Sequence, residues 1–297
     1  MGDPETATRR LNLAQSFNPM GSLMGMFVAS QIILPRLDSD KRDTAGNLIF
    51  DTLSTAEKAV IRTHDLAVIR NPYVMLGFVV IIMLVIIALT KMPKRAKADH
   101  TIHAGQSFKR LMNNIRYREG VIAQVFYVGA QIMCWTFIIQ YAENLGLSKA
   151  EAQRYNIVAM SIFLTSRFIS TGLMKFLNSR LMLMLFAIGG ILTTSGVILI
   201  EGMTGLYLLV ATSAFMSLMF PTIYGIALEG IGDDATLGAA GLVMAIVGGA
   251  LMPPLQGLII DQGTIGWLPA VNFSFILPFI CFVVIAIYGY RTYRIHR

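Results

Sequence analysis

The chain has 297 residues, of which 55% are hydrophobic and 14% are charged, whereas an ordinary soluble domain has about 25% charged residues. This composition argues against a soluble globule and a disordered chain, and it suits a protein with several membrane spans. The net charge of +7 comes from basic residues that lie between apolar segments. It therefore indicates loops beside a membrane and argues against a nucleic-acid partner.

Eight apolar runs are long enough to cross a bilayer as helices of about 20 residues. A β-barrel would need shorter segments of alternating polarity, whereas residues 78–89 read FVVIIMLVIIAL without a break. The sequence therefore predicts an all-α, polytopic membrane protein. The runs lie at about 11–35, 71–91, 119–143, 153–177, 182–201, 204–229, 236–260 and 269–290.

The distribution of Lys and Arg predicts the orientation of these spans. With the N-terminus in the cytoplasm, fifteen Lys and Arg residues fall on the cytoplasmic side, eight fall on the other side, and Arg167 lies within a span. Loops rich in Lys and Arg remain on the cytoplasmic side. Both termini are therefore predicted to be cytoplasmic.

Two loops are longer than the others. The 36–70 loop has mixed charge, and its TAEKAVIR segment could form a short surface helix. The basic 92–118 loop contains SFKRLMNNIRYR, in which four apolar side chains share one helical face. This pattern predicts an amphipathic helix on the anionic cytoplasmic leaflet, and an ordinary solvated linker is the alternative. The four residues are Phe108, Leu111, Met112 and Ile115.

The basic loop divides the predicted spans into two before it and six after it. Two-lobed transporters commonly place a long cytoplasmic linker between equal halves. We therefore predict an incomplete N-terminal lobe with two spans at 1–91, an interlobe linker at 92–118 and a six-helix lobe at 119–297.

Signatures of an enzyme are missing from the sequence. Cys134 and Cys281 lie in apolar runs, where thiols behave as small hydrophobic groups. The GIGDDA segment at 230–235 follows a predicted membrane helix and not a strand, so it is not a dinucleotide-binding fingerprint. No metal site is signalled, since the His100-x-x-His103 pair has no acidic or cysteine companions nearby, and the histidines lie in loops or in the tail. They are His64, His100, His103 and His296. We expect no metal, no cofactor and no enzymatic activity.

Polar groups inside apolar spans must pair with one another or face a water-filled cavity. In the first span, Asn12, Gln15 and Asn18 share roughly one face, and Pro19 removes a backbone hydrogen bond. This face is a candidate cavity wall. Interhelical hydrogen bonds that only hold the bundle together are the alternative.

The third span contains a longer polar stripe. Gln124, Tyr127, Gln131 and Trp135 follow at i, i+3, i+7 and i+11 along one side of a helix. Amide and phenol groups bind hydroxyls, and an indole face suits the apolar side of a sugar ring. The stripe therefore predicts a site for a polyhydroxylated ligand, and ordinary helix packing is the alternative.

Helix-breaking residues mark the sixth and seventh spans. Such residues are tolerated where a helix lines a cavity or must flex, so they are candidates for gating or for packing alone. They are Pro221, Gly248, Gly249, Pro253 and Pro254. Arg167 is the one cation well inside a span, and we interpret it as a structural or gating latch in preference to a substrate contact.

Four segments follow one another along the chain as RRLNLAQSFNPMGS, AQVFYVGAQIMCW, SAFMSLMFPTIYG and IVGGALMPPLQGLIID. In this order they resemble the fucose:proton symporter family of the major facilitator superfamily. The resemblance implies a two-lobed, twelve-helix transporter that couples sugar uptake to protons by alternating access in the cell inner (plasma) membrane. It is less specific for the sugar, because glucose and galactose transporters are similar in these regions. Gln140 also stands where a basic residue is expected in the better-known fucose members.

Aligned with this family, the chain corresponds to helices five to twelve. The family's proton-handling carboxylates lie on its first and fourth helices, so neither has a counterpart here, and Glu143, Glu201 and Asp261 lie at span ends. We predict a monosaccharide:proton symporter, represented by an incomplete chain that does not transport alone. L-fucose is the first choice of sugar, and glucose or galactose comes next. A partial gene product, a split gene and a truncated gene model stay open.

The expected partners are the sugar, protons, the lipid bilayer and a separate chain with the missing helices. The alternative function is that of a non-transporting accessory or relic lobe of a major facilitator protein. A membrane-embedded enzyme is a third and weaker hypothesis, because no nucleophile, base or metal cluster lies within a span.

Overall fold

A computed structural model of the chain describes residues 7–39, 41, 49–90 and 104–294. They fall into two compact units, of which the first consists of residues 1–21 and 102–297 and the second of residues 22–101. The predicted lobes at 1–91 and 119–297 stay a prediction. His100, His103 and His296, together with much of the predicted linker, lie outside the described residues.

The described residues are mainly α-helical, which confirms the predicted all-α class. The helices are α1 (Ala7–Gln15), α2 (Asn18–Val28), α3 (Ile49–Thr52), α4 (Thr55–Leu89), α5 (Ala104–Asn113), α6 (Ile115–Asn144), α7 (Lys149–Leu173), α8 (Ser179–Leu199), α9 (Met203–Met216), α10 (Met219–Leu228), α11 (Ala235–Met244), α12 (Gly248–Ile260), α13 (Ala270–Ser274) and α14 (Ile276–Arg294). Between α12 and α13, strands β1 (Thr264–Ile265) and β2 (Leu268–Pro269) pair antiparallel, with Ile265 opposite Leu268.

Seven helical segments within the described ranges are long and apolar enough to cross a membrane. They match the last seven of the eight predicted spans. The first run differs, because its helix is interrupted at Ser16 and Phe17 and then continues as α2 and a π-helical turn at Ala29–Ile33. Pro19 contributes to the interruption, since it has no N–H to donate to the Gln15 carbonyl four residues earlier.

The second unit contains α4, a continuous helix of 35 residues that is about 52 Å long. Ser54 and Glu57 form a capping box at its start. The expected short helix at TAEKAVIR and the span at 71–91 are therefore parts of one helix. Large apolar side chains between Tyr73 and Leu89 are exposed, as suits a surface that faces lipid.

A polar anchor fixes the segment before α3 to the side of α4. The carboxylate of Asp65 accepts hydrogen bonds from the backbone N–H groups of Asp38 at 2.9 Å and Ser39 at 3.0 Å. His64 Nδ1 lies 3.1 Å from the Asp38 carboxylate and 3.4 Å from that of Asp65. The second unit is thus held in part by polar contacts around the buried carboxylate of Asp65.

In the first unit, α6 is the central helix, and α10, α12 and α14 pack along it. Glycines bring other helices close to their neighbours. A Cβ atom on Gly190 of α8 would lie 2.8 Å from the ring of Phe282, and one on Gly289 of α14 would lie 3.0 Å from the Met184 backbone. Close approach at small residues is the common way in which membrane helices associate.

The predicted amphipathic helix is present as α5, but it ends at Asn113. Asn114 then caps α6, because its side chain accepts a hydrogen bond from Tyr117 N at 3.2 Å. This junction divides the predicted apolar face. Leu111 is buried with Tyr117 in a cluster to which Met112 also packs. The two remaining members of the face, Phe108 and Ile115, are exposed. The helix therefore packs against protein on one part of the face, and its contact with lipid stays a prediction.

A two-bond ion pair fixes α5 to the turn before α11. Arg110 Nε donates to one carboxylate oxygen of Asp234 and Nη2 to the other, both at 2.7 Å. Hydrogen bonding to Asp234 raises the pKa of the Arg110 guanidinium. Paired, parallel bonds of this kind are stronger and more directional than single ones.

We expect Asp234→Asn to loosen α5, because the amide can accept one of the two guanidinium hydrogen bonds but carries no charge. The Arg110 side chain is 59% exposed, so the loss of global stability should be small. The local effect should be larger, since trypsin cleaves after Lys109 and Arg110 only when α5 opens. Limited proteolysis in detergent should show cleavage there several-fold faster than in the unmodified chain.

Asp261→Asn is the control, since it makes the same change in charge at the exposed end of α12. It should leave cleavage within α5 unchanged. Equal cleavage rates in the Asp234→Asn and Asp261→Asn variants would show that the ion pair does not hold α5.

Candidate functional site

Two interrupted helices of the first unit meet at one point. The first interruption separates α1 from α2, and the second separates α9 from α10 at Ser217 and Leu218. Each is followed by a proline, Pro19 and Pro221, which cannot donate to the carbonyl four residues earlier. The carbonyl groups of Gln15 and Ser217 therefore need donors from outside their own helices.

Arg167 of α7 supplies both donors. Its Nε donates to the Ser217 carbonyl, and its Nη1 donates to the Gln15 carbonyl at 3.1 Å. The side chain is buried, and its guanidinium lies 4.5 Å from the ring centre of Phe163. Within the described part of the chain no carboxylate pairs with it. We name this arrangement of Arg167 with the Gln15 and Ser217 carbonyls the Arg167 bridge.

Other side chains serve the same break between α9 and α10. The hydroxyl of Tyr127 donates to the Met216 carbonyl at 3.0 Å, and Ser166 Oγ donates to the Ala214 carbonyl at 2.9 Å. Charged and neutral donors thus compensate three of the four carbonyls between Ala214 and Ser217. Such compensation is what permits irregular backbone at membrane depth.

Contacts on both sides of the bridge hold α1 against α7 and α10. Asn12 Nδ2 donates to Thr222 Oγ1 at 3.2 Å. A Cβ atom on Gly225 would lie 2.8 Å from Thr8 Oγ1, so only a residue as small as glycine fits there. On the α7 side, the rings of Phe17 and Phe168 meet edge to face at 5.8 Å. The polar face predicted for the first span is thus partly used in contacts between helices.

A groove of about 470 Å³ runs along one face of α7. Three of its side chains have hydroxyl groups, and the others are apolar. Its lining consists of Val158, Ser161, Ile162, Thr165, Ser166, Ile169 and Ala214. Ser161 donates to the Ile157 carbonyl, whereas Thr165 has no side-chain hydrogen bond in the described part of the chain. Six of the lining residues follow one another at helical spacing along α7. The hydroxyls of Ser161, Thr165 and Ser166 could therefore have been recognised in the sequence as one polar face of the predicted span at 153–177.

The predicted stripe on α6 divides between the interior and the groove side. Gln124 and Tyr127 are fully buried, and Tyr127 is already paired with the Met216 carbonyl. Gln131 is half-buried. Trp135 is also half-buried, and its Nε1 donates to the hydroxyl of Ser213, the neighbour of Ala214 in the groove, at 3.3 Å. The upper end of the stripe is therefore close to the groove.

The two amides from the first span lie differently from each other. Asn18 is exposed at the start of α2, and Gln15 is half-buried and binds Arg167 through its carbonyl. Neither side chain has a hydrogen bond in the described part of the chain, so both amides are available to a ligand.

The helix breakers of the seventh span lie away from the bridge, against α6. The span is interrupted by a 3-10 turn at Ala245–Val247, and α12 then continues through Pro253 and Pro254. A Cβ atom on Gly248 would meet the Val125 carbonyl, and one on Gly249 would lie 2.9 Å from the Ile132 side chain. The glycines therefore permit close packing of α12 on α6, and the prolines do not mark the interruption.

Together, three features define a class of protein. They are the seven apolar spans found within the described ranges, the interrupted helices, and the groove with its hydroxyl groups. This combination is typical of an α-helical membrane transporter, in which interrupted spans line the substrate path.

Comparisons with known proteins identify the family within this class. No family model matches the chain. It is 69% identical over 300 residues to the L-fucose-proton symporter of Haemophilus influenzae, an alignment that covers 99% of this chain and 69% of that protein. It is 28% identical to the L-fucose-proton symporter of Escherichia coli and to the glucose/galactose transporter of Brucella abortus, over 97% of this chain and 65% and 64% of theirs. The chain belongs to the L-fucose-proton symporter family.

Solved structures agree with this assignment. A crystal structure of the E. coli fucose:proton symporter matches with a TM-score of 0.80 at 27% identity, over 97% of this chain and 70% of that one. A second crystal structure of this major facilitator transporter, in the outward conformation, matches with a TM-score of 0.81 at 28% identity, over 97% and 69%. The chain spans about two thirds of the length of the relatives that it matches.

The comparisons bear on four of the predictions. The resemblance to the family and the partial major facilitator fold are confirmed. Because the relatives are transporters, an enzyme is not supported and the hypothesis of a non-transporting relic lobe is not favoured.

Proposed function

We propose that this chain serves the symport of a monosaccharide with protons across the inner (plasma) membrane, with L-fucose as the sugar and glucose or galactose as alternatives. The observation that supports this most strongly is its 69% identity, over 99% of its length, to a protein called an L-fucose-proton symporter. The groove on α7 adds physical support. Its volume of about 470 Å³ falls within the range of about 300–1,000 Å³ that is usual for small-molecule sites.

The proposed sugar site is the groove together with Trp135. Ser161 and Thr165 line the groove with their hydroxyls, and the half-buried Trp135 donates to Ser213, the neighbour of Ala214 in the groove. Three amides, those of Gln15, Asn18 and Gln131, are proposed to contribute hydrogen bonds, since none has a side-chain partner in the described part of the chain. Gln124 and Tyr127 are buried, so a direct contact of either with the sugar would require the helices to separate.

The Arg167 bridge is proposed to act as a gate. With both termini in the cytoplasm, as the Lys and Arg distribution predicts, α1 and α10 occupy the cytoplasmic halves of their spans. The bridge would then close the path below the groove on the cytoplasmic side, and opening toward the cytoplasm would break it.

A separate chain with four further helices is a proposed partner. No residue of this chain is assigned to the proton.

Binding can be measured with the chain's own tryptophans, Trp135 and Trp267. Trp267 is exposed, and Trp267→Phe would leave Trp135 as the single reporter beside the groove. We expect L-fucose to change its fluorescence in a saturable way. Thr165→Val should weaken binding about fivefold, the equivalent of about 1 kcal/mol for one lost hydrogen bond. Ser195→Ala on α8, outside the groove, should leave the affinity unchanged.

Transport needs its own measurement. Counterflow of labelled fucose, galactose and glucose should be compared in proteoliposomes that contain the chain alone or the chain with a co-expressed four-helix partner. Fucose-dependent flux with proton uptake in either preparation supports the proposal. Absence of flux from both, together with no response of Trp135 to any sugar, would contradict it.

A further inference from the structure

Three helices approach one another closely at Gly120, which lies one turn into α6. A Cβ atom at this position would lie 2.5 Å from Cβ of Ala227 in α10 and 3.0 Å from the hydroxyl oxygen of Tyr288 in α14. The lack of a side chain at Gly120 therefore permits Tyr288 to place its hydroxyl against the α6 backbone. We name the region around Gly120, Gln124, Ala227 and Tyr288 the Gly120 junction.

The junction contains three buried polar atoms without partners. In the described part of the chain, neither Nε2 nor Oε1 of Gln124 has a hydrogen bond, and neither does the hydroxyl of Tyr288. Gln124 is 0% exposed and Tyr288 is 3% exposed. Gln124 follows Gly120 by one helical turn, or about 6 Å along the axis, on nearly the same face. The Gln124 side chain and the Tyr288 hydroxyl are thus buried on nearly the same face of α6.

Charged side chains near the ends of α6 and α14 lie close to the junction and are partly exposed to solvent. Glu119 precedes Gly120 and pairs with Arg291 at 2.8 Å, and Arg291 follows Tyr288 by three residues on α14. The Arg291 side chain is 41% exposed, so water reaches this ion pair. Arg291 and Tyr288 are about one turn apart along α14, and Glu119 is next to Gly120, so an ion pair that water reaches flanks the junction.

We propose that the Gly120 junction is a binding site for ordered water, in which the Gln124 amide and the Tyr288 hydroxyl are the ligands. Buried polar atoms in native proteins nearly always have partners, and where protein supplies none an internal water does. An internal water typically makes about three hydrogen bonds. The amide can donate through Nε2 or accept through Oε1, and the Tyr288 hydroxyl can do either, so one water can bind to both side chains. The site differs from the groove on α7, and it does not depend on which sugar the protein transports or on whether it transports one.

The chain contains a matched control for hydration. Tyr127 is also fully buried on α6, but its hydroxyl donates to the Met216 carbonyl. Two buried tyrosines of the same chemistry therefore differ in whether a water is expected beside them.

X-ray radiolysis generates hydroxyl radicals from bound internal waters, and these radicals modify the nearest side chain even when bulk solvent is excluded.

The experiment is radiolytic labelling of the full chain in lipid nanodiscs, with mass spectrometry of the peptides that contain each tyrosine. We expect hydroxylation of Tyr288 to be several-fold faster than that of Tyr127. A rate at Tyr288 no greater than the rate at Tyr127 would overturn the proposal. This comparison uses the unmodified chain, so it does not depend on a variant that folds.

Two variants then test the role of Gln124. Gln124→Leu removes the amide and should lower the labelling of Tyr288 at least by half. Gln256→Leu removes another buried glutamine, whose Nε2 donates to Ser274 Oγ at 3.0 Å, and should leave Tyr288 labelling unchanged. If the two variants lower the labelling equally, or if Gln124→Leu has no effect, Gln124 is not a ligand and the site as proposed is wrong.

Discussion

Replacement of Arg167 by methionine is expected to lower the free energy of unfolding by about 2–4 kcal/mol, since one buried and one partly buried carbonyl then lack a donor, and a buried group without a partner costs about 1–3 kcal/mol. These carbonyls belong to Gln15 and Ser217, and Pro19 and Pro221 prevent their own helices from supplying an N–H. Methionine keeps much of the apolar volume beside Phe163, so the loss reports mainly on hydrogen bonds. Unfolding by sodium dodecyl sulfate in mixed micelles would measure it.

The same helix provides a control for this substitution. Arg154 is exposed near the start of α7, and Arg154→Met should change the free energy of unfolding by less than about 0.5 kcal/mol. Arg167→Lys should recover only part of the stability, because one ammonium group lacks the planar fork that reaches two carbonyls. Similar losses for Arg167→Met and Arg154→Met would show that the bridge contributes little.

The bridge also shows why part of this site could not be predicted from the sequence. The sequence shows both prolines and the cation within apolar runs, and each is unusual within a membrane span. Arg167, however, is 152 residues from Gln15 and 50 from Ser217. Periodicity and helix propensity describe neighbours along a chain, so they cannot indicate which distant side chain compensates a freed carbonyl.

The polar stripe on α6 illustrates a similar limit. The helical spacing of Gln124, Tyr127, Gln131 and Trp135 predicts correctly that they share a side of one helix. It does not predict that α10 and α14 cover the lower part of this side, whereas Trp135 remains half-buried near the groove. Which residues of a stripe remain accessible depends on the packing of neighbouring helices, and that packing is decided by tertiary contacts.

Boundaries were the weaker part of the predicted fold, although the helical class was correct. Residues 55–70 differ from the apolar run that follows them mainly in their charge. A helix tolerates charge on a solvated surface, so α4 continues from Thr55 to Leu89 without a break. Hydropathy therefore locates the apolar part of a helix and not the full length of the helix.

Gly248→Ala is expected to destabilise the first unit by about 3 kcal/mol, at the upper end of the range for overpacked interiors. The added methyl would collide with the Val125 carbonyl oxygen and lie 2.8 Å from its carbonyl carbon. These atoms belong to the backbone of α6 and cannot rotate away, so α12 must move as a whole. Gly249→Ala should cost less, because it meets the side chains of Val128 and Ile132, which can adjust.

Gly257→Ala completes the series on the same helix, because no atom lies within 4 Å of the methyl that it adds. Alanine also favours the helix over glycine by about 1 kcal/mol, so this variant should be as stable as the unmodified chain or slightly more stable. The expected order of destabilisation is Gly248, then Gly249, then Gly257, measured as unfolding in mixed micelles. A Gly248→Ala variant as stable as Gly257→Ala would mean that α12 does not approach the α6 backbone at Val125, and the glycines would then have to be explained by flexibility of the span.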